Sequence, residues 1–598
     1  MHKDIIPNYR QLQEKHTRRY AQLSRQHNII TAFRLLIAAG FIAALYLHFR
    51  YPSASVPIFL YCALVLIVPF IALMQLNRKT AWNKHFHKNL VRINKEEIDF
   101  LEYKENHADP GLRYQDGNHA YAADLDLFGP RSLYQYLNRT GTQMGKDQLA
   151  GLMLQPGNSE QIKAAQEAVQ ELRDAIDWRQ ELLAIARITD DNKDVYRYLL
   201  QWADTKEPRL PRVLLVLAWI LPAALLSSLA LYFLLHDNLY WELATKLAPL
   251  NLVIIATQLK QVKQAVASTD KTDEILRQYA AMIARIEQAP FKSDAMLQLQ
   301  QRLKATHDQA SRQIGKLSAI YRRMETVQNP FGAIILNGLF LYHVHALNSL
   351  RQWKARYAAQ IPVWLDVIGR AEALGSLANF SYNNPDFAFP VLNDRQELAF
   401  TELGHPLIDE EKRINNDISF IDHNFVILTG SNMSGKSTFL RTLGVNMVLA
   451  GMGAPVCARK ATFHPMPVLV SMRQTDSLAD SESYFFAEVK RLKFIIDQLG
   501  KETCFVLLDE ILRGTNSDDK RSGTIGVIEK IIHKKAIGAI ATHDLEVCLT
   551  TDAHPGKLIN KCFEVEIINN ELVFDYQLRN GICKNKSATF LMRKMEII

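Results

Sequence analysis

The chain has 598 residues, 70 basic against 62 acidic side chains, a formal net charge of +8 and 48% hydrophobic residues. That is enough for several domains of about 100–200 residues, and a chain this apolar offsets its folding entropy, which excludes intrinsic disorder. Six cysteines without paired or C-x-x-C spacing exclude a disulfide scaffold and offer no zinc site, while the charge surplus alone does not choose between nucleic acid and anionic lipid.

In chain order, a basic N-terminal stretch (1–28) precedes Ile29–Phe49, interrupted only by Arg34, and Val56–Leu76, which holds no charge. Each run of about 21 residues would measure roughly 31 Å as a helix, matching the hydrocarbon core of a bilayer. Only Arg50–Ser55 lies between them, so they predict a transmembrane helical hairpin over 29–76. The segment 77–118 opens with Arg78, Lys79, Lys84, Lys88, Arg92 and Lys95. Directly after a membrane span, such a cluster suits lipid headgroups better than DNA phosphates. Val213–Leu235 is equally apolar, and Tyr240–Leu259, interrupted by Glu242 and Lys246, completes a second hairpin over 213–259. The two hairpin loops hold only Arg50 between them, whereas the flanks are rich in Lys and Arg. The positive-inside rule therefore predicts a multi-pass protein of the inner (cytoplasmic) membrane, with its termini and long segments in the cytoplasm. Asp270–Thr326 has helical periodicity with mixed charge, which predicts a long solvated helix, with a DNA-facing lever as the alternative. Phe331–Leu347 is also apolar, but it is short and holds His343 and His345, so a core helix is expected rather than a fifth span.

The C-terminal third carries the chemistry. Phe425–Gly430 reads as a buried strand running into Gly430-Ser431-Asn432-Met433-Ser434-Gly435-Lys436-Ser437-Thr438, a G-x-x-x-x-G-K-S loop ahead of a helical pattern. In such a loop, backbone N–H groups wrap the phosphates of ATP at a helix N-terminus, the lysine (Lys436) reaches the β- and γ-phosphates, and the serine (Ser437) ligates Mg²⁺. Downstream, the apolar run Cys504–Leu508 ends in Asp509-Glu510. Asp509 is placed to hold Mg²⁺ through water, and Glu510 to orient or deprotonate the attacking water. A third strand, Ala536–Thr542, ends at His543, where a histidine could sense the γ-phosphate. Three strand ends converging on one phosphate site make an ATP hydrolase the expected activity.

These blocks resemble the ATPase of MutS-type DNA mismatch repair proteins. The resemblance rests on Thr429–Thr438, Leu508–Ser517 and Ala541–Asp544, which are similar in order and spacing to that family's TGPNMGGKST, LDEIGRGTST and ATH blocks. Asp476–Glu488 resembles the family's signature segment, which implies that Ser483 caps the γ-phosphate of a second subunit's ATP and that two copies form a homodimer through their ATPase domains. Ala123–Gly145 is similar to the opening of the MutS core domain, Gln161–Leu183 continues it as an amphipathic helix, and Trp364–Ala378 resembles the lever helix that returns to the ATPase. Phe574–Gly581 looks like the family's C-terminal strand and turn.

Departures from the family pattern shape the functional expectation. No mismatch-reading domain or DNA clamp is recognisable, Phe100-Leu-Glu102 fits the F-x-E wedge pattern only by chance, and no Smr nuclease tail is expected. Gly451-Met452 replaces the family's Gln-Ile, Ser481 the signature glycine, and Lys520 the glycine after Asp519. Arg413-Ile414 stands where the family sets an aromatic and an aliphatic residue on the adenine. Ile414 is thus the candidate base contact, and the Arg413 plane can stack on the base.

The expected fold is an α/β ABC-type P-loop ATPase domain (386–598) on a mostly α-helical, MutS-core-like lever domain in two parts (119–212 and 260–385), with two transmembrane hairpins. The expected function is a membrane-anchored ATPase that couples ATP binding and hydrolysis to DNA, in mismatch repair or DNA processing. DNA and membrane lipid are the candidate partners. An ABC-type transporter half is the rival, disfavoured by about four spans rather than six and a signature unlike L-S-G-G-Q. A nucleotide-gated membrane scaffold without DNA binding is the third reading.

Overall fold

Two uninterrupted helices of 46 residues each open the chain, α1 (Ile5–Arg50) and α2 (Ile58–Tyr103). This computed structural model describes residues 5–51, 58–189, 193–207, 210–266, 272–304, 308–431, 433–472, 484–568, 571–583 and 592. The apolar runs form one half of this pair and the basic stretches are the same helices continued, so segment 77–118 begins as helix and loses it only after Tyr103. The helices pair antiparallel. Thr31 meets Asn77 at 3.5 Å, His16 meets His87 at 3.1 Å between ring nitrogens, and Arg10 binds Glu102. A second antiparallel pair follows, α3 (Arg212–Leu235) and α4 (Asn238–Val266), with Tyr232 and Trp241 in contact at its turn, 5.3 Å between centroids. These four helices are long and apolar enough to cross a membrane. Large apolar side chains point outward from both pairs, among them Leu36, Val68, Trp219 and Leu234.

Between the hairpins and the sheet domain lies a helical core built around α5 (Ile361–Asn383), buried along nearly its whole length. Against it lie Gln143–Leu154, Ser159–Asp174, Ile176–Ala186, Thr272–Glu287 and Asp294–Leu303. The amphipathic run expected over Gln161–Leu183 is two helices, broken at Ala175. The long solvated helix expected over Asp270–Thr326 is instead Thr272–Glu287, Asp294–Leu303 and Ala310–Glu325, all core elements. Pro290 ends the first helical register, and the apolar faces (Tyr279, Met282, Ile286; Ile314, Leu317, Tyr321) are buried. The core helix expected over Phe331–Leu347 is half right. Pro330–Phe340 and Tyr342–Tyr357 meet at an 85° bend, where Leu341 takes φ 44°. The histidine-bearing helix is core, whereas Pro330–Phe340 turns Phe331, Ile334 and Ile335 outward.

Helix α5 carries a buried polar stripe at helical spacing. Glu372 accepts from the N–H groups of Gly141 (2.7 Å) and Thr142 (3.3 Å) and from the Thr142 hydroxyl, and Ser376 accepts from the Arg139 N–H at 3.1 Å. Asn383 accepts from the Tyr9 hydroxyl of α1 at 2.8 Å and donates to Glu97 of α2 at 2.9 Å. Glu97 pairs with Arg139, whose guanidinium and hydrogen bonds hold its carboxyl below the usual carboxylate range against the effect of burial. Both helices of the first hairpin are thus keyed to one helix of the core.

The C-terminal region is a mixed α/β domain. Strands β1 (Val391–Leu392), β2 (Ala399–Leu403), β3 (Asn416–Ser419) and β5 (Lys460–Phe463) form a four-stranded sheet in the order β1-β5-β2-β3. The larger sheet takes β4 (Phe425–Gly430), β6 (Val468–Ser471), β7 (Phe505–Asp509), β8 (Ile537–Ala541), β9 (Leu558–Ile568) and β10 (Glu571–Asn580) in the order β10-β9-β4-β8-β7-β6. All its pairs are parallel except β9 with β10. Strands β4, β7 and β8 are buried throughout, as expected of strands covered on both faces.

Candidate functional site

Parallel register aligns the strand ends that matter: Leu428 pairs with Ala541, and Ala541 with Asp509. The chain leaves β4 at Gly430 and enters α6 (Lys436–Gly451) through a tight loop. Gly430 (φ 154°) and Gly435 (φ 101°) hold backbone that side chains rarely adopt, and a Cβ on Gly430 would lie 2.6 Å from Ser434 Oγ and 2.9 Å from the Phe563 carbonyl. The buried Lys436 ammonium donates to the carbonyls of Gly430 (2.9 Å) and Ser431 (3.0 Å). Burial pushes its pKa down, against the pull of Glu510 and Asp509.

A cavity of about 490 Å³ opens over this loop, lined by Met433, Ser434, Gly435, Lys436, Ser437 and Thr438 and, across from them, by Glu510 and Ile414. Two buried polar atoms have no hydrogen-bond partner among the described residues, Ser434 Oγ on the cavity wall and Asp509 Oδ1 at the end of β7. Buried orphans of this kind are costly unless a ligand or ion meets them. One hydroxyl at the phosphate loop and one carboxylate oxygen at a strand end therefore fit a phosphate with its divalent cation. Glu510 (φ 48°) binds His543 through its side chain and meets Arg513 at 3.3 Å. Its pKa falls to about 2, chiefly through the hydrogen bond from His543, with the charges of His543, Arg513 and Lys436 adding and burial opposing. In this state Glu510 is a fixed anion rather than a ready proton acceptor.

The structure therefore brings Lys436, Ser437, Asp509, Glu510 and His543 to one end of the sheet and Ile414 to the opposite cavity wall. Arg413, expected to stack on the base, lies instead over the Phe387 ring at 5.4 Å and lines a neighbouring cavity. Its backbone N–H donates to the Asp409 carbonyl at 2.8 Å. Asn432 and Ser483 lie outside the described residues. Three further contributors emerge. Glu488 accepts from the N–H groups of Leu512 (2.7 Å) and Arg513 (3.2 Å), clamping the loop after the Asp509-Glu510 pair. His405 lines the cavity with its pKa lowered to about 4 by burial, with Arg441 and Arg413 adding. Tyr576 forms an aromatic wall beside Gly435, its ring parallel to Phe574 within 17° at 6.1 Å. The Phe574-Asp-Tyr576 stretch is legible in the sequence as a strand; its place on the cavity wall needs the β9–β10 hairpin.

At its far end α6 abuts the helical core. Gly157 N–H donates to the Gly451 carbonyl at 3.0 Å, and a Cβ on Gly451 would come within 2.7 Å of Pro156 Cβ. The departure at Gly451 is thus explained by lack of space.

The fold and cleft define a class: a mixed α/β domain with a glycine-loop cleft at its parallel strand ends, set on a largely helical region. Comparison supplies the family. The family model for MutS domain V matches residues 426–595. The chain is 29% identical over 213 residues to human MutS protein homolog 4, covering 34% of this chain and 22% of that protein. It is 30% identical over 223 residues to the DNA mismatch repair protein MutS of Thermotoga neapolitana, covering 36% and 27%, and 30% identical over 234 residues to that of Desulfatibacillum aliphaticivorans, covering 38% and 25%. Residues 426–595 of this chain are thus similar to domain V of the MutS family. The matches span roughly a quarter of each relative's length.

Proposed function

We propose that this protein is a membrane-anchored MutS-type ATPase that couples ATP binding and hydrolysis, in a homodimer, to DNA. The carrying observation is one cavity lined by Lys436, Ser437, Glu510 and the orphaned Ser434 hydroxyl, with His543 bound to Glu510 and the orphaned Asp509 carboxylate next to it at the strand end. Backbone N–H groups of the loop bind the phosphates, Lys436 exchanges loop carbonyls for phosphate oxygens, and Ile414 contacts the base. Ser437 and Asp509 would hold Mg²⁺, which supplies neutralisation of phosphate charge when bound. Glu510 orients the attacking water once His543 turns from it toward the γ-phosphate, and Ser483 of a second copy completes the site. The apolar hairpins hold the protein in the cytoplasmic membrane with its core and ATPase domain in the cytoplasm, as their flanking charges favour. The match of residues 426–595 to MutS domain V supports this reading over a transporter half.

The test is ATP turnover by the purified full-length protein. Lys436→Ala should lower turnover by roughly 10²–10³-fold, and Glu510→Gln should retain bound ATP without turning it over. Wild-type turnover in Glu510→Gln would overturn the catalytic assignment. Binding to homoduplex, mismatched and branched DNA across a salt titration tests the partner. Phosphate contacts strengthen as salt falls, so no binding at low salt would overturn the DNA reading.

A further inference from the structure

The short helix Pro330–Phe340 carries no charged residue, yet it leaves Phe331 82%, Ile334 55% and Ile335 59% exposed. On its other side it packs against the second hairpin. The buried Asn251 amide of α4 donates to the Gly338 carbonyl at 2.8 Å, a polar stitch in otherwise apolar surroundings. The chain on either side is tied together. The Thr326 hydroxyl donates to the Arg323 carbonyl (2.7 Å) and lies 3.0 Å from His343 Nε2, while Asn337 Nδ2 lies 2.7 Å from His343 Nδ1. These bonds are mutually consistent with one assignment, a neutral His343 protonated on Nε2. Residues 326–343 thus leave the core and return to the same point. His345, two residues further on, contacts the Ala218 carbonyl of α3 at 3.0 Å. Ala218 lies about 9 Å along the helix from Arg212, close to the charged end of the hairpin.

We propose that Pro330–Phe340 is a re-entrant membrane element. It enters the lipid acyl chains beside α3 and α4 and leaves on the side from which it came. The occupant of its exposed face is hydrocarbon, because that face continues the outward apolar surface of the hairpin and offers no polar group to water. The hydrogen-bonded base rules out a crossing, so the sheet domain stays on the side of the N-terminal helices. The inference rests on the membrane reading of the hairpins.

Cysteine reporters in the full-length chain, with Cys62→Ser removing the exposed described thiol, test it in vesicles of both orientations treated with a membrane-impermeant maleimide. Phe331→Cys and Ile335→Cys should lose labelling in both orientations and regain it in detergent. Arg323→Cys and Arg356→Cys should label from one and the same side. Labelling of these flanks from opposite sides, or labelling of Phe331→Cys and Ile335→Cys in intact vesicles, would overturn the inference. Ile220→Cys, exposed on α3, separates the two failures. If it is protected while positions 331 and 335 react, only the re-entrant element fails. If it reacts as well, the membrane reading fails with it.

Discussion

At the scale of single residues, Glu510 concentrates the unusual chemistry. Its folded pKa, about 2, lies below the ordinary 4.5, so its contacts contribute stability that is present above 4.5 and lost as the pH falls toward 2. Glu510→Gln should therefore lower stability at neutral pH by about 1–3 kcal/mol, and the gap from wild type should narrow across that acid range. Thermal unfolding of both proteins against pH is the measurement. Glu97 is the second such residue. It is 3% exposed and faces Arg139, with Arg179 buried nearby. Glu97→Ala strands buried guanidinium charge and should cost about 3–5 kcal/mol. The glycine loop and the Asp509-Glu510 pair were legible in sequence because their spacing is dictated by phosphate and metal chemistry. Glu97, Glu488 and Tyr576 were not, because each acts through a partner far away in the chain, and no local pattern announces a long-range hydrogen bond.

Among the elements, α5 joins three parts of the molecule. It touches the first helical hairpin through Asn379 and Asn383, the Thr140–Thr142 turn through Glu372, and the sheet domain through the chain that follows it. Its fit depends on Gly369, where a Cβ would come within 2.7 Å of the Met144 carbonyl. Gly369→Ala should push α5 from Gln143–Leu154 at a cost of about 1–3 kcal/mol, read by chemical denaturation. Family resemblance located Trp364–Ala378 within α5, and the length of the apolar runs located the four long apolar helices. Sequence periodicity misjudged 270–326, where mixed charge on a helix looks the same whether the apolar stripe meets water or a neighbour. It also merged Pro330–Phe340 with Tyr342–Tyr357, since nothing in Phe-Leu-Tyr marks Leu341 for positive φ.

For the whole molecule, the architecture puts a MutS-type domain at one end of a helical core whose other contacts are with apolar hairpins. The protein should resist extraction from membranes by carbonate or high salt, and deletion of residues 1–103 should expose the apolar partners of Tyr9 and Leu101 and lower solubility. The two 46-residue helices, each about 69 Å long, carry a geometric consequence. On the membrane anchoring proposed above, a stiff stalk rooted in a bilayer fixes the height and tilt of what it bears, leaving only sliding in the plane and spinning about the membrane normal. Two copies can then meet face to face only with their two-fold axis along that normal. Their encounter is governed by the number of molecules per unit of membrane area, so crowding within a patch of bilayer, rather than abundance in the cell volume, would set how often a shared ATP site closes.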